Sequence, residues 1–185
     1  MKLILFQSPR IYKYRLLSVS SIYQGIPILH QPVIILGDGS IYFGSNSSFG
    51  VWNSPGFFNG VSYIEARSKS AVINIGKNII ANNNFTVICV ATSIEIGNDC
   101  LIGYNVAIYD SDFHDINPDL RRSGHGLADD VKIGDNVFIG SNVTILKGVT
   151  IGNNAVIASG SIVTKSFPEN IIIGGVPAKE IGSVH

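Results

Sequence analysis

One histidine of this sequence stands out by its neighbours and its position. His114 lies in the segment DSDFHDI, with Asp110 and Asp112 before it and Asp115 after it. An imidazole, whose pKa is about 6.5, can take a proton from an attacking hydroxyl group. A carboxylate or a backbone carbonyl on the other ring nitrogen fixes the tautomer. We predict His114 as a general base and leave the choice among the three aspartates open.

The remaining histidines and the cysteines are weaker candidates. His30, His125 and His185 do not combine into a recognisable motif, and we expect them to be structural or solvated. Cys89 and Cys100 form neither a Cys-x-x-Cys pair nor a cluster with histidine. The sequence therefore predicts no metal site, and both thiols are expected to be buried or half-buried.

The element that must position His114 is a six-residue repeat, clearest over residues 131–168. The first position of each unit is aliphatic: Ile133, Ile139, Ile145, Ile151, Ile157, Val163. The fourth position is mostly asparagine or glycine: Asn136, Asn142, Gly148, Asn154, Gly160, Ser166. The fifth position is mostly small or β-branched: Val137, Val143, Val149, Ala155, Ser161, Phe167. A helix would repeat at 3.6 residues, which this pattern does not.

Each repeat position has a physical role. The fifth residue of one unit and the first of the next lie two apart, so in a strand both face the same side, which we take as the interior. Asparagine and glycine tolerate positive φ and place a bend in every unit. Short strands joined by bends coil, and each coil hydrogen-bonds to the next. The sequence thus predicts an all-β fold, a parallel β-helix of hexapeptides.

The same register marks the limits of the domain. Units begin earlier at Ile75, Ala81 and Val87 and again, after three extra residues, at Ile96, Ile102 and Ile108, and a weaker repeat covers about 33–50. Two stretches break the pattern, 51–70 and 114–130, and we predict loops there, the usual place for function. Residues 1–32 are expected to form a cap, as a short helix or an irregular segment, with the β-helix over 33–182.

Composition limits the classes of partner. Thirteen basic and thirteen acidic residues cancel, which argues against a broad electrostatic contact with nucleic acid. Only 14% of the residues are charged, so we expect an oligomer that buries further apolar surface. The opening MKLILF is too short for a membrane span and shows no signal-peptide cleavage pattern, which favours a cytoplasmic protein.

The hexads, the histidine loop and the ending SIVTKSFPENIIIGGVPAKEI together resemble the hexapeptide acyltransferases over about residues 33–182. The similarity is greatest to the maltose and galactoside O-acetyltransferases and to those of bacterial surface polysaccharides. The resemblance implies a left-handed, triangular helix with three hexads to a coil. It also implies a homotrimer with active sites between subunits, acetyl-CoA as co-substrate and no metal.

The resemblance also implies residue roles. For the sugar acceptor it points to Asn82, the first asparagine of an A-N-x-N segment in ANNNF, together with Asn84 and Asp112. Lys165 and Lys179 are expected near the phosphates of CoA. The rest of the donor site is expected at Phe138, where many relatives have Trp, and at Gly140, Ser141, Ser159 and Thr164. Transfer is expected to be direct, because Cys100 at a fifth position faces inward.

Several alternatives remain open. The His-Asp pair at 114 and 115 is compatible with N-acetylation of a nucleotide-linked amino sugar. A zinc-binding β-helix would need three histidines, and a structural or ice-binding one a regular exposed ladder. The helical segment that supplies an acceptor contact in the maltose and galactoside enzymes has no match in residues 1–30, so a surface polysaccharide or its precursor is the expected acceptor. Aromatic residues of the 51–70 loop could contact a sugar or fill an interface: Trp52, Phe57, Phe58, Tyr63.

Overall fold

The structure is a computed structural model that describes residues 2–122 and 126–184. It contains one helix, α1 (Lys2–Leu17), followed by strands throughout. The strands are β1 Val19–Gln24, β2 Ile28–Leu29, β3 Val33–Phe43, β4 Ser48–Phe49, β5 Ser62–Ala66, β6 Val72–Ile75, β7 Ile80–Ala81, β8 Thr86–Cys89, β9 Ser93–Ile96, β10 Leu101–Ile102, β11 Ala107–Tyr109, β12 Val131–Ile133, β13 Phe138–Ile139, β14 Thr144–Ile145, β15 Thr150–Ile151, β16 Val156–Ile157, β17 Ile162–Val163, β18 Ile171–Gly175 and β19 Ala178–Ser183.

The strands stack into three faces of a parallel coil, as predicted. Face 1 contains β6, β9, β12 and β15; face 2 contains β2, β4, β7, β10, β13, β16 and β18; face 3 contains β5, β8, β11, β14 and β17. The long strand β3 covers two faces, because its first half pairs with β5 and its second half with β6. At the C-terminal end β19 folds back antiparallel on β18. The chain thus turns at a first corner between faces 1 and 2, a second between faces 2 and 3, and a third between faces 3 and 1.

The interior is filled by the two inward positions of each hexad. Every first-position aliphatic residue from Ile133 to Val163 is at most 1% exposed, and Ser161 and Phe167 are buried at fifth positions. Both cysteines are also buried, as expected. Since neighbouring coils place identical positions above each other, these side chains form continuous apolar columns along the axis.

The corners use the predicted left-handed backbone. Asn136, Asn142 and Asn154 have φ between 55° and 58°, and Gly148 and Gly160 have φ near 75°. Asparagines of successive first corners also bond to one another, as Asn136 Nδ2 does to Asn154 Oδ1 at 2.9 Å and Asn154 Nδ2 to Asn170 Oδ1 at 2.9 Å. Ser166 is the exception, since its side chain accepts a bond from the Thr150 N–H.

The N-terminal segment contains the expected short helix, α1, and in addition two strands. Residues 19–29 contribute β1 and β2, which pair in parallel with β3 and β4 and so begin the coil before residue 33. The stretch 51–70 is also only partly a loop, because β5 at Ser62–Ala66 pairs with β3 and β8. The projecting loop therefore spans about 51–61, and Tyr63 lies on face 3 rather than with the other aromatic residues.

The faces differ in what they show to the outside. On face 2, outward side chains in register form an apolar row of Ile80, Leu101 and Phe138, each 47–49% exposed. On face 1 the equivalent row is polar and includes the pair Lys132–Glu95 at 3.8 Å. Within the described residues, no helix is both long and apolar enough to cross a membrane.

The corner geometry makes a stability prediction. Replacing Asn142 by alanine should lower the free energy of unfolding by about 1 kcal/mol or more, because a Cβ-bearing residue without a polar side chain is strained at φ 58°. Asn142→Gly is the matched control, since it loses the same bond from Asn105 but relieves the strain. Equal urea denaturation midpoints for the two variants would contradict this account of the corner.

Candidate active site

The loop that carries His114 leaves the coil at the third corner through a closed neck. Ser111 and Ala128 form an antiparallel bridge, and the Asp112 N–H donates to the Leu127 carbonyl at 3.1 Å. The Asp129 N–H donates to the Asp110 carbonyl at 2.8 Å. His125 lies outside the described residues. The neck fixes where the loop starts and ends.

The backbone before His114 is held in an unusual conformation. Phe113 has φ 64°, which is rare for a bulky residue, and its N–H donates to Ser111 Oγ at 3.0 Å. The Phe113 ring packs edge-on against Tyr109, with centroids 5.3 Å apart, and the Arg67 guanidinium lies 5.5 Å from its centroid. These contacts stabilise the left-handed turn that sets the direction of the His114 side chain.

The His114 ring is oriented by the main chain. Its Nδ1 lies 3.2 Å from the carbonyl oxygen of Arg121. A carbonyl oxygen can only accept, so this bond requires the proton on Nδ1 and leaves the lone pair on Nε2. The ring is exposed in the single chain. This is the arrangement a general base needs, with a carbonyl as its partner.

The three aspartates that the sequence offered as partners have other contacts. Asp110 is fully buried, and its carboxylate accepts the N–H groups of Val90, Ala91 and Thr92 at 2.7–3.1 Å. It therefore closes the third-corner turn at residues 90–92, between β8 and β9. Asp115 accepts the Asn117 N–H at 2.8 Å.

Asp112, also predicted as an acceptor contact, is exposed and lies beside a lysine. Its Oδ2 is 3.4 Å from Lys147 Nζ, one coil further along the same corner. The Asp112 carboxylate is therefore exposed beside the Lys147 ammonium group, two residues before His114 in the sequence.

The two cysteines are unsuited to a covalent mechanism. Burial, with the Asp110 carboxylate beside it, raises the pKa of the Cys89 thiol to about 12, and Cys89 Sγ donates to Asp110 Oδ2 at 3.3 Å. Burial raises the pKa of Cys100 to about 11. Both are therefore neutral thiols near pH 7, whereas the nucleophile is the thiolate.

The second corner carries the predicted acceptor residues and one that the sequence analysis missed. Asn83 is fully buried, and its side chain bonds the backbone of Val51, Ser54 and Pro55 at 2.9–3.2 Å. It thus fixes the start of the 51–61 loop. The only available signal was its place between two other asparagines.

The two predicted acceptor asparagines flank Asn83. Asn82 is half-buried, and its Oδ1 accepts the Asn83 N–H at 2.7 Å. Asn84 has the corner conformation, with φ 60°, and its Nδ2 donates to the Tyr104 hydroxyl at 3.2 Å. Its buried Oδ1 has no hydrogen-bond partner among the described residues. A buried acceptor of this kind can take a donor from a ligand or a water.

Side chains of α1 hydrogen-bond to the 51–61 loop and hold it in place. Gln7 Nε2 donates to the Phe57 carbonyl at 2.5 Å, and Arg10 donates to the Gly60 carbonyl at 2.8 Å. Trp52 and Phe58 pack edge-on against Phe57, with centroids 5.3 Å apart in each case. A cavity of about 580 Å³ lies between α1, this loop and face 2.

The predicted donor residues fall at two corners and on two strands. At the second corner, Ser141 Oγ accepts the Tyr104 N–H and Ser159 Oγ accepts the Ser141 N–H, both at 3.1 Å, with Gly140 buried beside them. Thr164 and Lys165 are exposed at the third corner, and Lys165 Nζ lies 5.4 Å from the Phe167 ring. Lys179 is exposed on β19, and Phe138 is exposed on face 2.

One chain therefore holds the predicted site in two parts. His114, Asp112 and Lys165 lie at the third corner, whereas Asn82 and Ser141 lie at the second. The two corners are separated by face 3, and six residues of extended chain span roughly 20 Å. Such a distance is too long for one small acceptor to contact both parts of a single chain. Among the described residues, no group of three or more His, Cys, Asp or Glu could hold a metal ion.

Because the Asp110 carboxylate is buried, we expect its removal to affect stability rather than catalysis. Asp110→Ala should lower the free energy of unfolding by about 3 kcal/mol or more, because it leaves three backbone N–H groups without an acceptor. Asp112→Ala is the matched control and should cost no more than about 1 kcal/mol, since its pair with Lys147 is exposed. Similar thermal midpoints for both variants would contradict this division of roles.

The thiols make a second prediction. Iodoacetamide at pH 8 should leave Cys89 and Cys100 unmodified in the folded protein and alkylate both after denaturation, as intact mass would report. Because folding raises both thiol pKa values, their contribution to stability is present below about pH 9 and is lost as the pH rises towards 12. Rapid alkylation of either thiol in the folded protein would be inconsistent with this picture.

Comparisons with known proteins agree with the fold and the repeat. The family described as bacterial transferase hexapeptide (six repeats) matches residues 130–165. A galactoside O-acetyltransferase of Escherichia coli K12 is 42% identical over 113 residues, which cover 61% of this chain and 55% of the relative. The chain thus spans about half the length of the curated relatives it matches.

Two solved structures extend the comparison. A galactoside acetyltransferase in complex with coenzyme A is 33% identical, with a TM-score of 0.58, over 77% of this chain and 65% of that one. The polysialic acid O-acetyltransferase OatWY is 25% identical, with a TM-score of 0.63, over 90% and 87%. The chain therefore carries the bacterial transferase hexapeptide repeat and has the left-handed parallel β-helix fold of the hexapeptide-repeat acetyltransferases.

Proposed function

We propose that this protein is an acetyl-CoA-dependent O-acetyltransferase that modifies a hydroxyl group of a sugar in a bacterial surface polysaccharide or its precursor. The observation that carries the proposal is the oriented His114 ring, whose Nδ1 is held by the Arg121 carbonyl and whose Nε2 is available as a base. The similarity to galactoside O-acetyltransferases, 42% identity over 113 and 105 residues, supports the same reaction class.

His114 acts as general base and then as general acid. Its Nε2 accepts the proton of the sugar hydroxyl as the oxygen attacks the thioester carbonyl of acetyl-CoA. Collapse of the tetrahedral intermediate breaks the C–S bond, and the proton on Nε2 passes to the departing sulfur. The products are the O-acetyl sugar and the thiol of CoA, and no group on the protein is acylated. Acid–base catalysis of this kind contributes about 10²–10⁴-fold.

The active site is proposed to form between copies in a homotrimer. The third corner of one chain, with His114 and Lys165, would lie against the second corner of the next, with Asn82 and Ser141. Two features support this assembly: the roughly 20 Å between the corners of one chain and the apolar row on face 2. Ile80, Leu101 and Phe138 form an exposed row, and its burial by a neighbouring chain lowers the free energy of the assembly.

The donor site is assigned to the later coils. Gly140, Ser141 and Ser159 would contact the pantetheine arm, where Ser159 Oγ lies between two coils. Thr164, at the third corner of the neighbouring chain, would lie beside the same arm. Lys165 and Lys179 are both exposed and would pair with the phosphate groups of CoA. Solved relatives of this fold bind coenzyme A, which supports the choice of donor.

The acceptor site is assigned to the second corner. Asn84 Oδ1 is a buried acceptor without a partner among the described residues, so a sugar hydroxyl could donate to it. Asn82 lies beside it at the start of the same turn, and Asp112 is proposed to contact the acceptor from the neighbouring chain. The 25% identical relative is described as acting on polysialic acid, which favours a polymeric acceptor over a free disaccharide.

The base predicts a specific kinetic loss. His114→Asn should lower kcat/KM for acetyl transfer by about 10²–10⁴-fold while leaving the Kd for CoA unchanged, because the ring acts on the acceptor proton rather than on donor binding. Continuous detection of released thiol with a panel of sugars and amino sugars measures the loss and tests the N-acetylation alternative. Full activity of the variant would remove His114 from the mechanism.

The donor site is tested by titration calorimetry with CoA. Lys165→Ala and Lys179→Ala should each weaken CoA binding about three- to tenfold, because each removes one exposed cation from the phosphates. Lys132→Ala on face 1 is the matched control and should leave the Kd unchanged. If the wild-type protein does not bind CoA at about 1 mM, the donor site is wrong and so is the proposed reaction.

A further inference from the structure

Helix α1 is turned so that its polar side faces the protein. Gln7 is only 3% exposed, and Arg10 donates to loop carbonyl groups. On the opposite side Leu5, Tyr12 and Leu16 are 64–67% exposed. Positions 5, 12 and 16 lie within 40° of one another at about 100° per residue, so they form one outward stripe. A helix whose apolar side chains point away from the protein is typical of a surface that binds another molecule or a membrane.

The apolar surface continues beyond the helix. Val19, Tyr23 and Ile26 are also exposed, Ile26 to 89%, and they lie on β1 and the turn that follows it. A groove of about 490 Å³ opens among them between α1 and β1, with Arg15 among its lining residues. We call this surface the N-terminal patch: Leu5, Phe6, Tyr12, Leu16, Leu17, Val19, Tyr23 and Ile26.

The charge of this segment is one-sided. The first 37 residues contain Lys2, Arg10, Lys13 and Arg15 and no aspartate or glutamate, although the whole chain has a formal net charge of zero. Lys13 and Arg15 are exposed beside the patch. The surface therefore combines large apolar side chains with uncompensated positive charge.

We propose that the N-terminal patch binds the surface of an anionic lipid bilayer. A helix that presents Leu, Phe and Tyr beside Lys and Arg can lie in the interface, with its apolar side chains among the acyl chains and its cations at the phosphate level. The absence of acidic residues from the first 37 positions favours an anionic occupant. It disfavours a two-fold contact between two such patches, which would place like charges together. The inference is independent of the proposed acetyl transfer.

The test is sedimentation with vesicles of two compositions. Wild-type protein should bind phosphatidylcholine vesicles that contain about one-third phosphatidylglycerol, and not phosphatidylcholine alone. Binding should fall as salt is raised, because each Lys or Arg near an anionic surface contributes an electrostatic term that salt screens. The double variant Lys13→Glu/Arg15→Glu should weaken binding by at least about tenfold, and Tyr12→Ser/Leu16→Ser should weaken it at every salt concentration.

The control matches the change in net charge elsewhere on the molecule. Lys77 lies at the first corner and Lys132 on face 1, and both are exposed. The double variant Lys77→Glu/Lys132→Glu should therefore bind vesicles like the wild type. No binding to anionic vesicles, or equal losses for the two charge variants, overturns the proposal. So does a Tyr12→Ser/Leu16→Ser variant that changes the assembled mass in sedimentation velocity while vesicle binding persists, because the patch would then be an interface between copies.

Discussion

Each coil of this protein depends on the coils next to it for nearly all of its backbone hydrogen bonds. The parallel ladders align only if consecutive coils have the same shape, and the same shape requires a bend at the same place in each turn. Left-handed asparagines and glycines supply that bend. Glycine at the second hexad position allows the close approach, because a Cβ at Gly76 or Gly134 would meet the backbone or side chain of the next coil.

This constraint determines where function can be placed. A strict coil has no room for irregular backbone within a face, so loops leave only at the corners. The His114 loop leaves at the third corner, where the bridge between Ser111 and Ala128 closes its base. The aromatic loop leaves at the second corner, where the buried Asn83 side chain fixes its start. A site that needs both loops is therefore divided by the width of face 3. On this account assembly is part of the catalytic apparatus rather than an addition to it.

The repeating features could be predicted from the sequence, and the singular ones could not. The inward positions and corner asparagines recur every six residues, so each occurrence supports the others, and the position of the His114 loop followed from where that register stops. The pairing of β1 with β3 depends on contacts that leave no periodic signal. Non-periodic contacts also explain why Asp110 was a candidate partner for His114, although its carboxylate bonds to residues 90–92. The sequence likewise carried no signal for the observed partner, the carbonyl of Arg121.

The proposed division of the active site between two chains is tested most directly by mixing inactive variants. His114→Ala removes the third-corner part, and Asn82→Ala removes the second-corner part. If neighbouring chains share each site, trimers assembled from an equal mixture should regain about a quarter of wild-type activity, since that fraction of sites draws both intact parts from different chains. If each chain holds a complete site, the mixture will be no more active than the average of the two variants alone.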